Sequence, residues 1–511
     1  MIPATILLAI SVFCGLYLYN QSRRRAKLPP GPPRLPIIGN LHQAPADAGW
    51  VTFRNWVEKY GPLVAVDFGG TNVIIVGDYD TARDLLDKKA NIYSSRPRMV
   101  MAQELVCKNQ HIMFKPFEED FLLHQRLEAS VLSPRASACY TPVQDLESKQ
   151  LLMNMLSSND FPKQFERFSA SVVYTTTFGL RIVTGEEWQL QTSHQCLKNM
   201  VLAGQVGAWI IDALPFLNYL PKPLAPWKKT AEDWYEVWAK LHITNLKDAL
   251  RRPGWNWAKD FKNAKEAEEM TEMELAWDLG VLCDAGVETT NIQLQIFVLA
   301  CLAYPDFIAK AQKELDKIVG LDRLPEFEDL EKMPYIQAVV EENFRWRHIV
   351  PAGIPHATTQ DDYYKGYLIP KGSTIIPLFI AMRQDKRLFD SPLDFLPERW
   401  LGKPQANNFG YGRRVCPGRF IARNSLSIVI ARFLWAFNIR SKNGKRLLVD
   451  ESSFTTGFVS GPKPFEAVFE PRSKKHRRVI EESYKVADKD TARLMSQVRK
   501  MQEGVGLNPR A

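Results

Sequence analysis

The run Phe409-Gly410-Tyr411-Gly412-Arg413-Arg414-Val415-Cys416-Pro417-Gly418-Arg419 holds the clearest chemistry in the chain. A cysteine acts as nucleophile or metal ligand through its thiolate, and a helix N-terminus or a neighbouring arginine favours that form. Cys416 has both, because a helical pattern over residues 421–437 follows it and Arg414 and Arg419 flank it. Gly412 and Gly418 let the backbone approach a flat ligand closely. Arg414, two residues before the thiol, can reach a carboxylate at the edge of such a ligand. The other cysteines, Cys14, Cys107, Cys139, Cys196, Cys283 and Cys301, are scattered, and no pair has Cys-x-x-Cys spacing. That argues against a zinc or dithiol site and for a reducing compartment.

Two further patterns place charge where charge is costly. Asp284, Glu288, Thr289 and Thr290 interrupt a stretch, 279–302, that is otherwise apolar on nearly every side. A carboxylate buried there needs a partner. Glu342 and Arg345 lie three residues apart, on one helical face, and can pair. Pro397-Glu398-Arg399-Trp400 follows shortly before the cysteine run.

These groups need elements to hold them. Thr271-Glu272-Met273-Glu274 is a capping-box pattern. From it the sequence runs unbroken to Pro305, a helix of about 50 Å whose apolar middle belongs in the interior. Helices are also predicted over 80–88, 230–250, 306–319 and 421–437. A hairpin is predicted from strand 63–68, a Gly69-Gly70-Thr71-Asn72 turn and strand 73–76. Further strands are expected at 364–368 and 373–377. The fold class is mainly α with small β-sheets. With no second Pro/Gly-rich boundary, residues 36–472 read as one domain.

The ends differ from this body. Residues 1–21 carry no charged side chain, and Arg23-Arg24-Arg25 follows. About 20 apolar residues span a bilayer, and basic flanks stay in the cytosol. Residues 1–22 are therefore expected to be a single-pass signal anchor with the rest of the chain cytosolic. Residues 23–35 form a basic, proline-rich linker whose Pro29-Pro30-Gly31-Pro32-Pro33 must be stiff and extended. Residues 473–511 are a charged tail, with helix expected over 485–501. The net charge of +9 comes from 66 basic and 57 acidic residues. No basic stretch has interleaved aromatics, so nucleic acid is not an expected partner.

Phe409, Gly412, Arg414, Cys416 and Gly418 match the pattern Phe-x-x-Gly-x-Arg-x-Cys-x-Gly, and through it the chain resembles the cytochrome P-450 family from its anchor to Pro471. Residues 30–40 and Phe454-Thr455-Thr456-Gly457-Phe458 are similar to the fungal secondary-metabolism branch, of the O-methylsterigmatocystin oxidoreductase type. The resemblance implies a triangular, mostly helical fold with the long helix over a haem b and Cys416 as its axial thiolate. It also implies a monooxygenase that inserts one atom of O2 into a lipophilic substrate. Electrons would come from an NADPH-cytochrome P-450 reductase at the endoplasmic reticulum membrane. By the same resemblance Arg96, His356 and Arg414 hold the haem propionates, while Phe409, Gly412 and Gly418 shape the loop. On the helix before Leu132, Phe121 and Gln125 stand where the family has Trp and Arg, with Arg126 retained. Ala285 and Gly286 correspond to the small pair that opens a groove over the ring, and Glu288 and Thr289 to the acid–alcohol pair that relays protons. Glu342, Arg345 and Arg399 correspond to a structural triad. Arg413, Arg419 and Arg423 are candidates for the reductase docking face. Segments 99–113, 195–220, 282–289, 349–353 and 455–458 are expected to line the substrate pocket. A haem-thiolate isomerase or dehydratase and a non-enzymatic haem carrier are the alternative readings, and Glu288-Thr289 argues against the isomerase.

Overall fold

In the computed structural model, residues 26–45, 48–205 and 208–510 are described. The expected anchor, 1–22, lies outside the described residues. The chain divides into two compact units, residues 1–97, 352–382 and 411–414, and residues 98–351, 383–410 and 415–511.

The first unit is built on runs of β-branched residues, which fit a pleated, buried surface. Strands β1 (Leu63–Phe68) and β2 (Thr71–Val76) pair antiparallel from Leu63 opposite Val76 to Phe68 opposite Thr71. Gly69 and Gly70 alone make the turn, both at positive φ as a two-residue hairpin loop requires. Thr71 and Asn72, expected in the turn, therefore belong to the strand. Strand β3 (His356–Ala357) is followed by β4 (Asp362–Tyr364), β5 (Tyr367–Ile369) and β6 (Thr374–Pro377). The four-stranded sheet runs β1-β2-β6-β3, with β6 parallel to β2. The strand expected over 364–368 is a hairpin of β4 and β5 instead, because Lys365 and Gly366 adopt positive φ between them. Helix α1 (Gly49–Tyr60) packs Trp50 and Phe53 against Val64, Val66 and Ile75. The proline-rich segment lies along β1. Ala65 N–H donates to the Pro30 carbonyl at 2.9 Å, Asn40 Nδ2 donates to Pro32 and Pro33 carbonyls at 3.2 Å each, and Asn40 Oδ1 accepts from Asp67 N–H at 2.9 Å.

The second unit is helical. Its longer helices are α2 (Glu119–Leu132), α3 (Thr141–Met155), α4 (Phe161–Phe178), α5 (Trp188–Ala203), α6 (Pro226–Arg251), α7 (Glu272–Ala303), α8 (Asp306–Ile318), α9 (Pro334–Trp346), α10 (Arg419–Ala436), α11 (Lys474–Val486) and α12 (Thr491–Gly504). Strands β7 (Phe437–Arg440) and β8 (Val468–Pro471) pair antiparallel. Helix α7 begins with the predicted capping box, Thr271 Oγ1 accepting from Glu274 N–H at 3.2 Å and Glu274 Oε2 from Thr271 N–H at 2.7 Å. Its 32 residues extend about 48 Å through the core. Among the described residues it is the one helix long and apolar enough to cross a membrane, and most of it is buried within the protein. The tail is not one helix over 485–501. Residues 487–490 break it, with Asp490 capping α12 through Arg493 N–H at 2.9 Å. Both tail helices join the core through Ile480, Met495 and Val498, and Gln502 Nε2 donates to Tyr140 Oη at 3.2 Å.

Candidate functional site

Cys416 closes the loop that leads into α10. Its N–H donates to the Phe409 carbonyl at 2.8 Å, and its own carbonyl accepts from Arg419 Nη1 at 2.9 Å. The Phe409 ring packs edge-on against Phe344 of α9, centroids 5.1 Å apart. The Arg423 guanidinium lies over both rings and pairs with Glu341. Of the six cysteines among the described residues, five are buried and Cys416 alone is half-buried. Burial pushes its thiol above the usual range, opposed by the Gly418 N–H and the charge of Arg419. A Cβ on Gly418 would meet nothing within 4 Å, so the loop leaves room there. Arg419 and Arg423 are turned onto neighbouring protein groups, and Arg413 is exposed. Of the three expected docking cations, Arg413 is the exposed one.

In the first unit, the three residues expected to hold the propionates come together. Arg96 Nη1 donates to the carbonyls of Pro355 at 2.6 Å and Ile354 at 3.2 Å. His356 Nδ1 lies 2.8 Å from the Tyr93 carbonyl, and Arg414 Nε donates to the Ser94 carbonyl at 2.7 Å. Burial lowers all three pKa values, that of Arg414 to about 9, and mutual repulsion depresses Arg96 and His356 further. The two desolvated guanidiniums, Arg96 and Arg414, are stabilised by an anion, and carboxylates match guanidinium geometry. Gly412 answers a constraint of the fold itself. At φ 55° its Cβ would lie 2.2 Å from the Leu86 carbonyl, so the protein's own backbone demands the glycine. Arg126 is exposed on α2, and Phe121 is buried against Phe117, 5.9 Å between centroids.

On α7, buried for most of its length, Ala285 is exposed and Leu282, Thr289 and Ile292 are half-buried. These positions recur every three or four residues and so form one open face. Thr289 Oγ1 donates to the Ala285 carbonyl at 2.7 Å. Gly286 does not open that face, since its Cβ would lie 2.5 Å from Val173 Cγ1 of α4. The residue exists so that two helices can touch. Glu288 is half-buried, and burial together with Glu166 raises its pKa while His194 opposes the rise.

Asp284 shows how a buried carboxylate is tolerated in this helix. Ser193 Oγ of α5 donates to it at 2.5 Å and Trp238 Nε1 of α6 at 2.9 Å, and His242 Nε2 lies 3.3 Å away. The sequence announced the need for partners, but nothing in it identified residues 42 to 91 positions distant. Glu342 is satisfied more fully still. It accepts from Arg345 Nε at 2.8 Å and Nη2 at 2.7 Å, Arg399 Nε at 3.1 Å, Leu396 N–H at 2.8 Å and Trp400 Nε1 at 2.8 Å. Arg345 also donates to the carbonyls of Arg383, Pro392 and Asp394. Trp400 was in view as part of the sequence motif, but its role as a donor was not.

Comparison with known proteins bears on this arrangement. A sequence profile of the family Cytochrome P-450 matches residues 29–469. The chain is 38% identical to the cytochrome P-450 monooxygenase aneD of Aspergillus aculeatus over 97% of its own length and 98% of that protein's. It is 37% identical to the cytochrome P-450 monooxygenase FrzL of a Cladobotryum species, covering 96% of each. It is 36% identical to the echilunin cytochrome P-450 monooxygenase of Aspergillus ruber, covering 98% of this chain and 95% of that one.

Proposed function

This chain belongs to the cytochrome P-450 family and is a monooxygenase, and we propose that it inserts one oxygen atom of O2 into a lipophilic organic substrate at a haem b ligated by Cys416. The observation that carries this reading is the half-buried thiol at the start of α10, in the loop whose residues match the haem-binding pattern. The residues present fit a haem. Cys416 is a soft thiolate donor, Gly418 leaves room beside it, and Arg96 and Arg414, with His356 beside them, offer guanidiniums for two propionates.

A bound haem with a thiolate ligand supplies the O2 chemistry, the sulfur donating electron density that favours O–O cleavage. The chain's own groups bind, position and handle protons. Phe409, packed on Phe344 under Arg423 and accepting the Cys416 N–H, helps to fix the loop. Ala285 leaves room on the open face of α7, where Thr289 presents its hydroxyl. Glu288, whose pKa burial raises, can take up a proton and pass it to that hydroxyl. Electrons come from an NADPH-cytochrome P-450 reductase, with the exposed Arg413 on the docking face. Residues 1–22 anchor the protein in the endoplasmic reticulum membrane with the catalytic part in the cytosol. The similarity to the echilunin enzyme and other fungal monooxygenases supports a step in fungal secondary-metabolite biosynthesis.

The test is spectroscopic. The purified protein, reduced under carbon monoxide, should show the red-shifted Soret band of thiolate ligation, and Cys416→Ser should abolish it. Persistence of the band in the variant would remove Cys416 as the ligand. With reductase present, substrate-dependent NADPH consumption and oxygenated product separate a monooxygenase from an isomerase or a carrier.

A further inference from the structure

We propose that His194 and Glu166 form the outer leg of a proton path that enters from solvent and ends at Glu288 and Thr289. The proposal rests on the reading of Glu288 and Thr289 as the acid–alcohol pair. Its geometry is independent of that reading. Glu166 Oε1 and His194 Nε2 are 2.5 Å apart, each side chain 27% exposed, so the pair reaches water. Neighbouring bonds pin both to the level of Glu288 on α7. Ser193, the residue before His194, donates to Asp284, one turn before Glu288. Ser169, one turn after Glu166 on α4, donates to the Val287 carbonyl at 2.7 Å and to the Glu166 carbonyl at 3.0 Å. Helices α4 and α5 thus bring an anion and an imidazole to the same turn of α7.

The charges suit a relay. Glu166 holds the His194 imidazolium above its usual pKa, with Lys198 opposing, while burial and Glu166 raise the Glu288 carboxyl. Each group thus holds a proton more readily than it would in water, as two stations of a relay must. In the forward step the N–H bond of the imidazolium breaks and a proton joins a Glu288 carboxylate oxygen. The neutral imidazole then regains a proton from surface water beside Glu166. No electron moves in either step.

The test uses the full-length, haem-loaded enzyme and two readouts. The first is the infrared C=O band of protonated Glu288, identified by its loss in Glu288→Gln. In His194→Gln its titration midpoint should move up, because the cation that lowers it is gone. An unmoved midpoint overturns the proposal. The second is product formed per NADPH consumed. In His194→Gln and, separately, Glu166→Gln it should fall toward the Glu288→Gln value, with product formation slowed about 10²-fold, the lower end of what positioned proton transfer contributes. Both side chains are partly exposed, so either variant should still fold, and the carbon monoxide band confirms that it has. Thr289→Ala, run in parallel, separates the two failures. If Glu288→Gln and Thr289→Ala uncouple but neither outer variant does, the outer leg is wrong. If Thr289→Ala does not uncouple, the acid–alcohol reading is wrong, and the outer leg fails with it.

Discussion

Thr289 donates its hydroxyl proton back to the Ala285 carbonyl, a bond typical of a threonine within a helix. Its oxygen lone pairs stay available on the open face, so the hydroxyl can accept from one side and donate to the other once the helix bond is exchanged. Thr289→Ala should therefore leave folding and haem content unchanged, as a small exposed-face truncation. Product formation should fall about 10²–10⁴-fold while NADPH oxidation continues and hydrogen peroxide accumulates. Thr289→Ser keeps the hydroxyl and should retain most of the coupling. The measurement is product and peroxide per NADPH, side by side.

Helix contacts set the next group of predictions. Where α4 crosses α7, the missing Cβ of Gly286 lets Val173 sit flush. Gly286→Ala should lower stability by about 1–3 kcal/mol through overpacking, and Val173→Ala in the same chain should recover part of that loss. Thermal unfolding of the single and double variants measures the coupling. Between α9 and the segment that precedes the cysteine loop, Glu342 and Arg345 are both fully buried. Arg345→Ala leaves a carboxylate with only part of its compensation, a change worth about 3–5 kcal/mol. The expected product is misfolded, haem-free protein. Trp400→Phe removes one neutral donor to a charged acceptor, about 1.5–3 kcal/mol, and should give folded protein with a lower melting temperature.

The chain ends contribute unequally to the fold. Ala65 and Leu368 donate their N–H groups to the carbonyls of Pro30 and Lys27, and Leu28 is buried. Removing residues 1–25 should therefore release protein from membranes with haem retained. Removing residues 1–39 should take away these contacts and the partners of β1, and give unstable protein. Fractionation and the carbon monoxide band distinguish the two truncations. At the other end, deleting 474–511 removes Ile480, Met495 and Val498 from the core, each worth about 1.5–3 kcal/mol when fully buried, and uncovers the apolar groups they pack on. That truncation should aggregate, as followed by light scattering.

Features written in local sequence were readable in advance. Cys416 and its loop, the capping box of α7, the β1–β2 hairpin and the approximate spans of α6, α7, α8 and α10 follow from neighbouring residues and from the 3.6- and 2-residue periods. Arg414 is legible beside the cysteine, whereas Arg96 and His356 come only from the resemblance, and the fold brings the three together. Other properties depend on what chain folding brings near. Gly286 and Gly412 are required by Val173 and by the Leu86 carbonyl, contacts that no spacing rule contains. Arg423 reads as a surface cation in sequence but is held by Glu341 and two aromatic rings. The partners of Asp284 and the His194–Glu166 pair come from separate helices packed on α7. Sequence alone determined which chemistry the chain can carry, because a motif is short and local. Tertiary structure decided which charges are satisfied and where protons can travel, because desolvation and pairing depend on every segment that surrounds a group.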